Sequence, residues 1–287
     1  MKSLRSSVFA FTLRAALPIT SLVKAMVFAH LLTTVSTGLV RAQGQAAART
    51  DERVIDIPSP FGADQRVLFV APSKPRAVIV MLPGGSGDIG LSNGGEVRHD
   101  DNFVVRTRTQ WVAKGYAVVI PDTIDGLNLR GLRSSPRYAR VVESLIEFAH
   151  DQVGAPVFLL GTSQGSIAAM NGAAHAPSGT LAGLILTESV AVMGGSHETV
   201  FDADPQGVRV PALVLANQDD RCDVAPPAMA PKIAAAISRS PEVKAVTVSG
   251  GLSRSDRECG SLSPHGYYGI EDKVITIISD WMQDHLH

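Results

Sequence analysis

Short apolar runs alternate with amphipathic stretches along most of this chain, and the alternation predicts its elements. Strands are expected over 53–57 and 66–70, joined across 58–64, and over 77–82, where Ala-Val-Ile-Val-Met-Leu reads as a strand buried on both faces. Further strands are expected at 116–120, 156–160, 181–186, 212–216 and 244–248. Between them, Phe103, Val104, Trp111 and Val112 recur at helical spacing within 102–114, which Gly115 closes. Val141, Leu145, Ile146 and Phe148 supply one apolar side of a helix over 134–152. Residues 164–175, 226–238 and 268–285 complete the predicted helices. This order predicts an α/β fold, a mostly parallel sheet of about eight strands covered on both faces, with ligands at its C-terminal strand edge.

The first 42 residues break the pattern. Lys2, Arg5, Arg14 and Lys24 precede the apolar run 25–40, and Val40-Arg41-Ala42 places small residues as a signal peptidase requires. The run is about 16 residues against the roughly 20 of a membrane span. Residues 1–42 therefore read as an export signal cleaved near Ala42, with an uncleaved anchor as the alternative. Residues 43–51 read as a flexible linker and 52–287 as one catalytic domain. Cleavage removes five basic residues and no acidic one, leaving 21 against 27 and a net charge of −6. A mildly acidic chain with two tryptophans and four tyrosines is a poor partner for nucleic acid. A periplasmic or secreted location follows, with no stable membrane insertion after cleavage. In such a compartment the two cysteines, Cys222 and Cys259, are expected to form a disulfide.

Candidate chemistry begins at Gly161-Thr162-Ser163-Gln164-Gly165, a GxSxG directly behind an apolar strand and ahead of a helix rich in small residues. A strand–turn–helix this tight exposes its serine at the sheet edge and leaves room for little but glycine on either side. Ser163 is the candidate nucleophile. A serine hydroxyl needs a base within hydrogen-bond reach and a third group to orient that base. His30 lies in the leader, His285 and His287 are terminal, and His150 and His175 fall at helix ends. His99 and His197 lie in loops and remain open. His265 follows the last strand and precedes the final helix.

The chain resembles the α/β-hydrolase family over nearly all of its mature length. The motifs are the elbow around Ser163, the loop Leu82-Pro83-Gly84-Gly85-Ser86-Gly87, and the late histidine of Ser263-Pro264-His265-Gly266-Tyr267. Pro83 stands where many members carry histidine. The resemblance implies that His265 is the base and that the acid follows the strand at 212–216, where Asp219, Asp220 and Asp223 compete and Asp220 fits the spacing best. Glu188 is the reserve, and Asp122 and Asp125 come too early and shape a turn. It also implies an oxyanion hole from the amide of Gly85, with Ser86 adjacent, beside the amide of Gln164 at a helix N-terminus.

Cys222 is two residues past Asp220 and Cys259 six before His265, so their bridge would tie the acid loop to the histidine loop. By the chain-entropy account it would contribute roughly 3 to 4 kcal/mol. About twenty residues separate Glu188 from Ala212, too few for a large lid. Met193-Gly194-Gly195, Phe201 and the loops 88–101 and 123–136 are the expected pocket walls, and Asn102 and Arg106 are expected to be structural, securing the oxyanion loop, with contact to an acidic substrate as the alternative. The expected activity is that of an exported serine hydrolase acting on a small ester or acyl substrate, with no metal or organic cofactor implied. A peptidase or acyltransferase with the same triad, and a non-catalytic binding protein on the same fold, are the alternatives.

Overall fold

A computed structural model describes residues 50–286. The expected signal at 1–42 and nearly all of the linker lie outside the described residues. Asp51, expected to end the linker, opens the first strand.

Eight strands form one sheet: β1 (Asp51–Ile57), β2 (Gln65–Ala71), β3 (Ala77–Leu82), β4 (Tyr116–Ile124), β5 (Val157–Thr162), β6 (Gly183–Thr187), β7 (Ala212–Asn217) and β8 (Val243–Val248). Their order across the sheet is β1-β2-β4-β3-β5-β6-β7-β8. The first pairings, β1 with β2 and β2 with β4, are antiparallel, and every pairing from β4 to β8 is parallel. Alternate residues feed opposite faces. Val78, Val80 and Leu82 of β3 join one core with α3 (Pro136–Val153), α4 (Gln164–His175) and α5 (Ala230–Ala236). Ala77, Ile79 and Met81 join the other, with α1 (Phe103–Arg106), α2 (Arg108–Ala113) and α6 (Glu271–Gln283). A central strand buried on both faces has no polar side to show, which is why β3 reads as an unbroken apolar run.

Helix boundaries follow their caps. Ser135 accepts from the amide of Tyr138, Pro136 opens α3, and Gly154 closes it at φ 63°. Three expected helices differ. The segment 102–114 is two short helices that meet at Thr107, whose buried hydroxyl donates to the Phe103 carbonyl at 2.7 Å and whose backbone, at φ −91° and ψ −1°, lies at the margin of the helical region. The segment 226–238 begins as a 3₁₀ turn, Pro227–Met229, and becomes α-helical only from Ala230, with Pro231 in the first turn where no amide is required. The last helix starts at Glu271 rather than 268, since Tyr267 and Gly269 sit at φ 56° and 84°. Among the described residues no helix is long and apolar enough to cross a membrane.

Candidate active site

Ser163 stands between β5 and α4 at φ 53°, ψ −125°, a strained conformation for a residue with a side chain. Packing holds it there. A Cβ on Gly161 would run into the carbonyl of Gly165, and one on Gly165 into the carbonyl of Leu82, so the end of β3, the turn and the start of α4 interlock only as glycines. The Ser163 amide donates to Thr187 at 3.0 Å, and the Ser166 hydroxyl donates to the Ser163 carbonyl at 2.6 Å.

His265 lies 102 residues further on, in a 3₁₀ turn, Pro264–Gly266. The Ser263 hydroxyl oxygen accepts from its amide. Arg106 clamps the turn by donating to the Gly266 carbonyl and pairing with Glu271 at 2.9 Å, so its role is structural, as expected. Asn102 caps α1.

The structure brings Ser163, His265 and Asp220 into one line. His265 Nδ1 is 2.7 Å from Asp220 Oδ2, and Nε2 is 2.9 Å from Ser163 Oγ. A carboxylate can only accept, so the ring proton lies on Nδ1 and leaves Nε2 free to accept from the serine. The Asp220 carboxyl is wholly buried, and its Oδ1 accepts from the Cys222 amide at 2.8 Å. Asp219 faces away, accepting from the Gly250 amide at 2.7 Å. Asp223 lies near Cys259 Sγ. Of the other histidines, His150 and His175 bond helix-end or loop carbonyls, and His99 lies against Asp88. His197 is an exposed loop residue at φ 55°.

Beside Ser163 runs the glycine loop after β3. A Cβ on Gly84 would come within 3.1 Å of the Ser163 Cβ, and Gly85 sits at φ 61°. The Gly87 amide closes the loop onto the Gly84 carbonyl. Beneath it lies Arg133, only 1 % exposed, which donates to the carbonyls of Gly85 at 3.0 Å and Pro83 at 3.2 Å. Burial lowers its pKa, while the nearby Glu198 carboxylate favours its charge. Trans peptides point carbonyl and amide in opposite directions, so holding these carbonyls turns the Gly84 and Ser86 amides away from Arg133. The amides of Gly85 and Ser86 make no hydrogen bond among the described residues, and both residues line the cleft at Ser163. Gln164 opens α4, where helix amides lack intrahelical acceptors. Arg133 was not singled out in the sequence because it stands among four arginines of 130–140, with nothing to mark which one is buried.

Glu188 is fully buried at φ 42°. Its Oε1 accepts from the Asn217 amide at 2.7 Å, and Oε2 has no partner. A carboxylate oxygen of Glu188 lies within 4.8 Å of one oxygen of Asp220 and of a ring nitrogen of His265, yet it is Asp220 that bonds the imidazole. Burial, reinforced by the charge of Asp220, pushes the Glu188 carboxyl well above the usual carboxylate range. Tyr267, fully buried alongside, donates to the Leu215 carbonyl and is held as a neutral phenol. Asn217, at the end of β7, donates to the carbonyls of Gly250 and Pro264 and so ties the acid strand to the histidine turn.

Cys222 and Cys259 form a disulfide between these same two loops, with Cα atoms 4.6 Å apart. Asp122, expected to shape a turn, does so by accepting from the amides of Ile89 and Leu91 and fixing the first wall of the cleft.

The cleft above Ser163 measures about 390 Å³. The loops 88–101 and 123–136 contribute to it as expected, through residues such as Arg98 and Arg130. Two expected walls are displaced. Met193 stands 56 % exposed outside the cleft, and Phe201 lies under the Lys232 ammonium. Their place is taken by the segment from Arg257 to Ser261, which the disulfide pins beside the histidine and which has no hydrophobic period to announce it.

No protein-family model matches the sequence, and no curated protein matches it either. Solved structures match the fold. A dienelactone hydrolase from Anabaena variabilis superposes with a TM-score of 0.59 at 14% identity, over 83% of this chain and 99% of that one. An esterase from Pyrococcus furiosus gives 0.58 at 9% identity, over 83% and 93%. The acylaminoacyl peptidase of Pyrococcus horikoshii gives 0.58 at 13% identity, over 83% of this chain but 42% of that one. With eight strands in this order, a serine elbow after β5 and a histidine turn after β8, the chain has the α/β-hydrolase fold.

Proposed function

We propose that this protein is an exported serine hydrolase that cleaves carboxylic esters through an acyl-enzyme on Ser163. The observation that carries the reading is the continuous hydrogen-bonded line from Ser163 Oγ through His265 to Asp220, opening at a cleft where unpaired backbone amides sit beside the serine. The Cys222–Cys259 bridge supports an oxidising compartment, hence the periplasm or the exterior.

In this reading Ser163 Oγ bonds to the ester carbonyl carbon as its proton passes to His265 Nε2. Buried Asp220 fixes the tautomer and stabilises the imidazolium. Amides of Gly85 and Gln164 receive the developing oxyanion, with Ser86 beside them. The imidazolium then returns its proton to the departing alkoxide, and an alcohol leaves. Water gives a proton to His265 and its oxygen to the acyl carbon, after which the carboxylic acid departs and Ser163 recovers its proton. No step requires a metal or cofactor.

Fluorophosphonate labelling and turnover of 4-nitrophenyl acetate and butyrate test this reading. The wild type should label once, at Ser163, and hydrolyse both. Ser163→Ala should lose labelling and about four orders of magnitude in kcat/KM. Full activity in a well-purified Ser163→Ala sample would falsify the nucleophile. The fold is shared with a peptidase, so matched anilides belong in the same panel. Anilides cleaved as fast as esters would replace esterase with peptidase.

A further inference from the structure

The wall of the Ser163 cleft is polar to an unusual degree. Small-molecule sites are mostly lined by apolar and aromatic side chains. Here the one large apolar residue of the lining is Phe103, and it is only 2 % exposed, already spent on the core. An acyl chain lying in this cleft would find almost no hydrocarbon to cover it.

Three arginines reach the cleft from three separate loops: Arg98 after β3, Arg130 after β4 and Arg257 after β8. Among the described residues, none of the three guanidinium groups has a hydrogen bond, an ion pair or an aromatic partner. Arg106 with Glu271, Arg66 with Asp56 and Arg76 over Tyr116 are occupied, whereas Arg140, Arg209, Arg221 and Arg239 are, among the described residues, free as well but lie outside the cleft; what sets Arg98, Arg130 and Arg257 apart is that they converge on Ser163. Arg130 lies over the glycine loop, its Nη2 3.6 Å from where a Gly85 Cβ would stand, and its charge opposes that of Arg133 below. Two carboxylates also line the cleft, Asp88 and Asp101. Asp88 is turned to the Gly90 amide and His99, and with both carboxylates counted the three guanidinium groups still leave the lining one positive charge in excess.

We propose that the substrate of this cleft is anionic: an ester that carries a carboxylate a short distance from the scissile bond and is held there by Arg130, Arg257 and Arg98. The proposal rests on the ester-hydrolase reading above and names its substrate class. Planar guanidinium forks match carboxylates in two parallel bonds, and such charge-assisted bonds are stronger than neutral ones, although the three arginines are solvent-exposed and the attraction is therefore screened by salt. An anion bound beside Gly85 would also offset part of the repulsion between Arg130 and Arg133.

The test pairs each charged ester with a neutral one of equal length. Monoethyl adipate against diethyl adipate places the carboxylate on the acyl side, and 4-acetoxybutyrate against its methyl ester places it on the alcohol side. The charged member of at least one pair should have a kcat/KM about 10- to 100-fold higher, through KM, and the advantage should shrink with salt. Arg130→Met and Arg257→Met should each reduce that ratio about tenfold, whereas Arg239→Met, exposed and outside the cleft, should leave it unchanged. Equal or better turnover of the neutral esters would overturn the proposal while leaving the hydrolase reading intact. A second arm needs no turnover: calorimetric binding of adipate to Ser163→Ala, lost in Arg130→Met/Arg257→Met. Adipate binding without turnover of any ester by the wild type would uphold anion recognition and sink the hydrolase reading. No adipate binding would overturn the proposal.

Discussion

At Asp219 and Asp220 a single step along the backbone sends two carboxylates in opposite directions. Asp220 is buried against the imidazole, and Asp219 holds the Gly250 amide at the sheet edge. Sequence alone left both open, because adjacent acids after a strand look alike until the turn between them is known. Asp220→Asn should reduce kcat by roughly three to four orders of magnitude, by stabilising the wrong tautomer of His265, and Asp219→Asn should have a mild effect. Steady-state kinetics decides the matter, and the reverse ranking would move the acid by one position. Glu188 invites a different measurement. Its folded pKa is raised by burial, so as pH climbs past the unfolded value of 4.5 the unfolded chain loses a proton that the folded one keeps. Stability attributable to this group therefore falls through that window until its folded pKa is passed. Glu188→Gln keeps the acceptor for the Asn217 amide and removes the proton linkage. Urea melts should show the variant gaining on the wild type between about pH 4 and pH 7. Glu188→Ala leaves that amide unpaired and should cost about 1 to 3 kcal/mol at either pH. If Glu188→Gln tracked the wild type at every pH, the buried carboxyl would not be protonated.

Elements differ in how plainly they show in the sequence. The elbow is legible because three demands coincide in five residues: an apolar strand before, small residues after, and glycines where backbone meets backbone. The break at Thr107 is hidden because the apolar spacing runs across it, while the structure marks it by the buried hydroxyl bond to Phe103 and a backbone at the margin of the helical region. Harder still is the segment 249–263, which supplies a wall of the cleft. It has neither period nor core, and what orders it is the bridge, the Ser263 hydroxyl donating to the Gly260 carbonyl, the Asn217 side-chain amide donating to the Gly250 carbonyl, and a few backbone bonds such as Arg254 to Leu262. That dependence makes the bridge testable at the scale of the element. Closing a loop across 37 residues should contribute about 4 kcal/mol by the entropy account. Cys222→Ser/Cys259→Ser should lower Tm by several degrees and reduce kcat more than Ser163 labelling at saturation, since the acid and histidine loops lose their tether while the elbow does not. An unchanged kcat in the double variant would leave the bridge a stability device without a catalytic part.

At the scale of the whole molecule, the strands and the two buried faces of the sheet are readable from apolar runs, because a parallel sheet must be covered on both sides and so writes itself as near-continuous hydrophobic strands, whereas the order of the strands across it comes only from the structure. The proposed export rests on other features, a basic and apolar N-terminal stretch that reads as a leader and a pair of cysteines separated by 37 residues. These two features bear on each other. A bridge with one sulfur buried against the acid loop and the other at the cleft belongs to the folded catalytic unit, so the active fold should require an environment that oxidises thiols. The full sequence expressed in a bacterial host should yield, from the periplasm, a chain beginning near residue 43 with no thiol that reacts under denaturing conditions. The same catalytic unit started at residue 43 and made in a reducing cytosol should carry two titratable thiols, melt lower, and regain both Tm and kcat on mild oxidation in vitro. Mass spectrometry of the amino terminus, thiol titration and thermal melts read these outcomes separately. Two free thiols in periplasmic protein of full activity would uncouple the bridge from the fold, and an intact leader in the recovered chain would turn the export signal into an anchor.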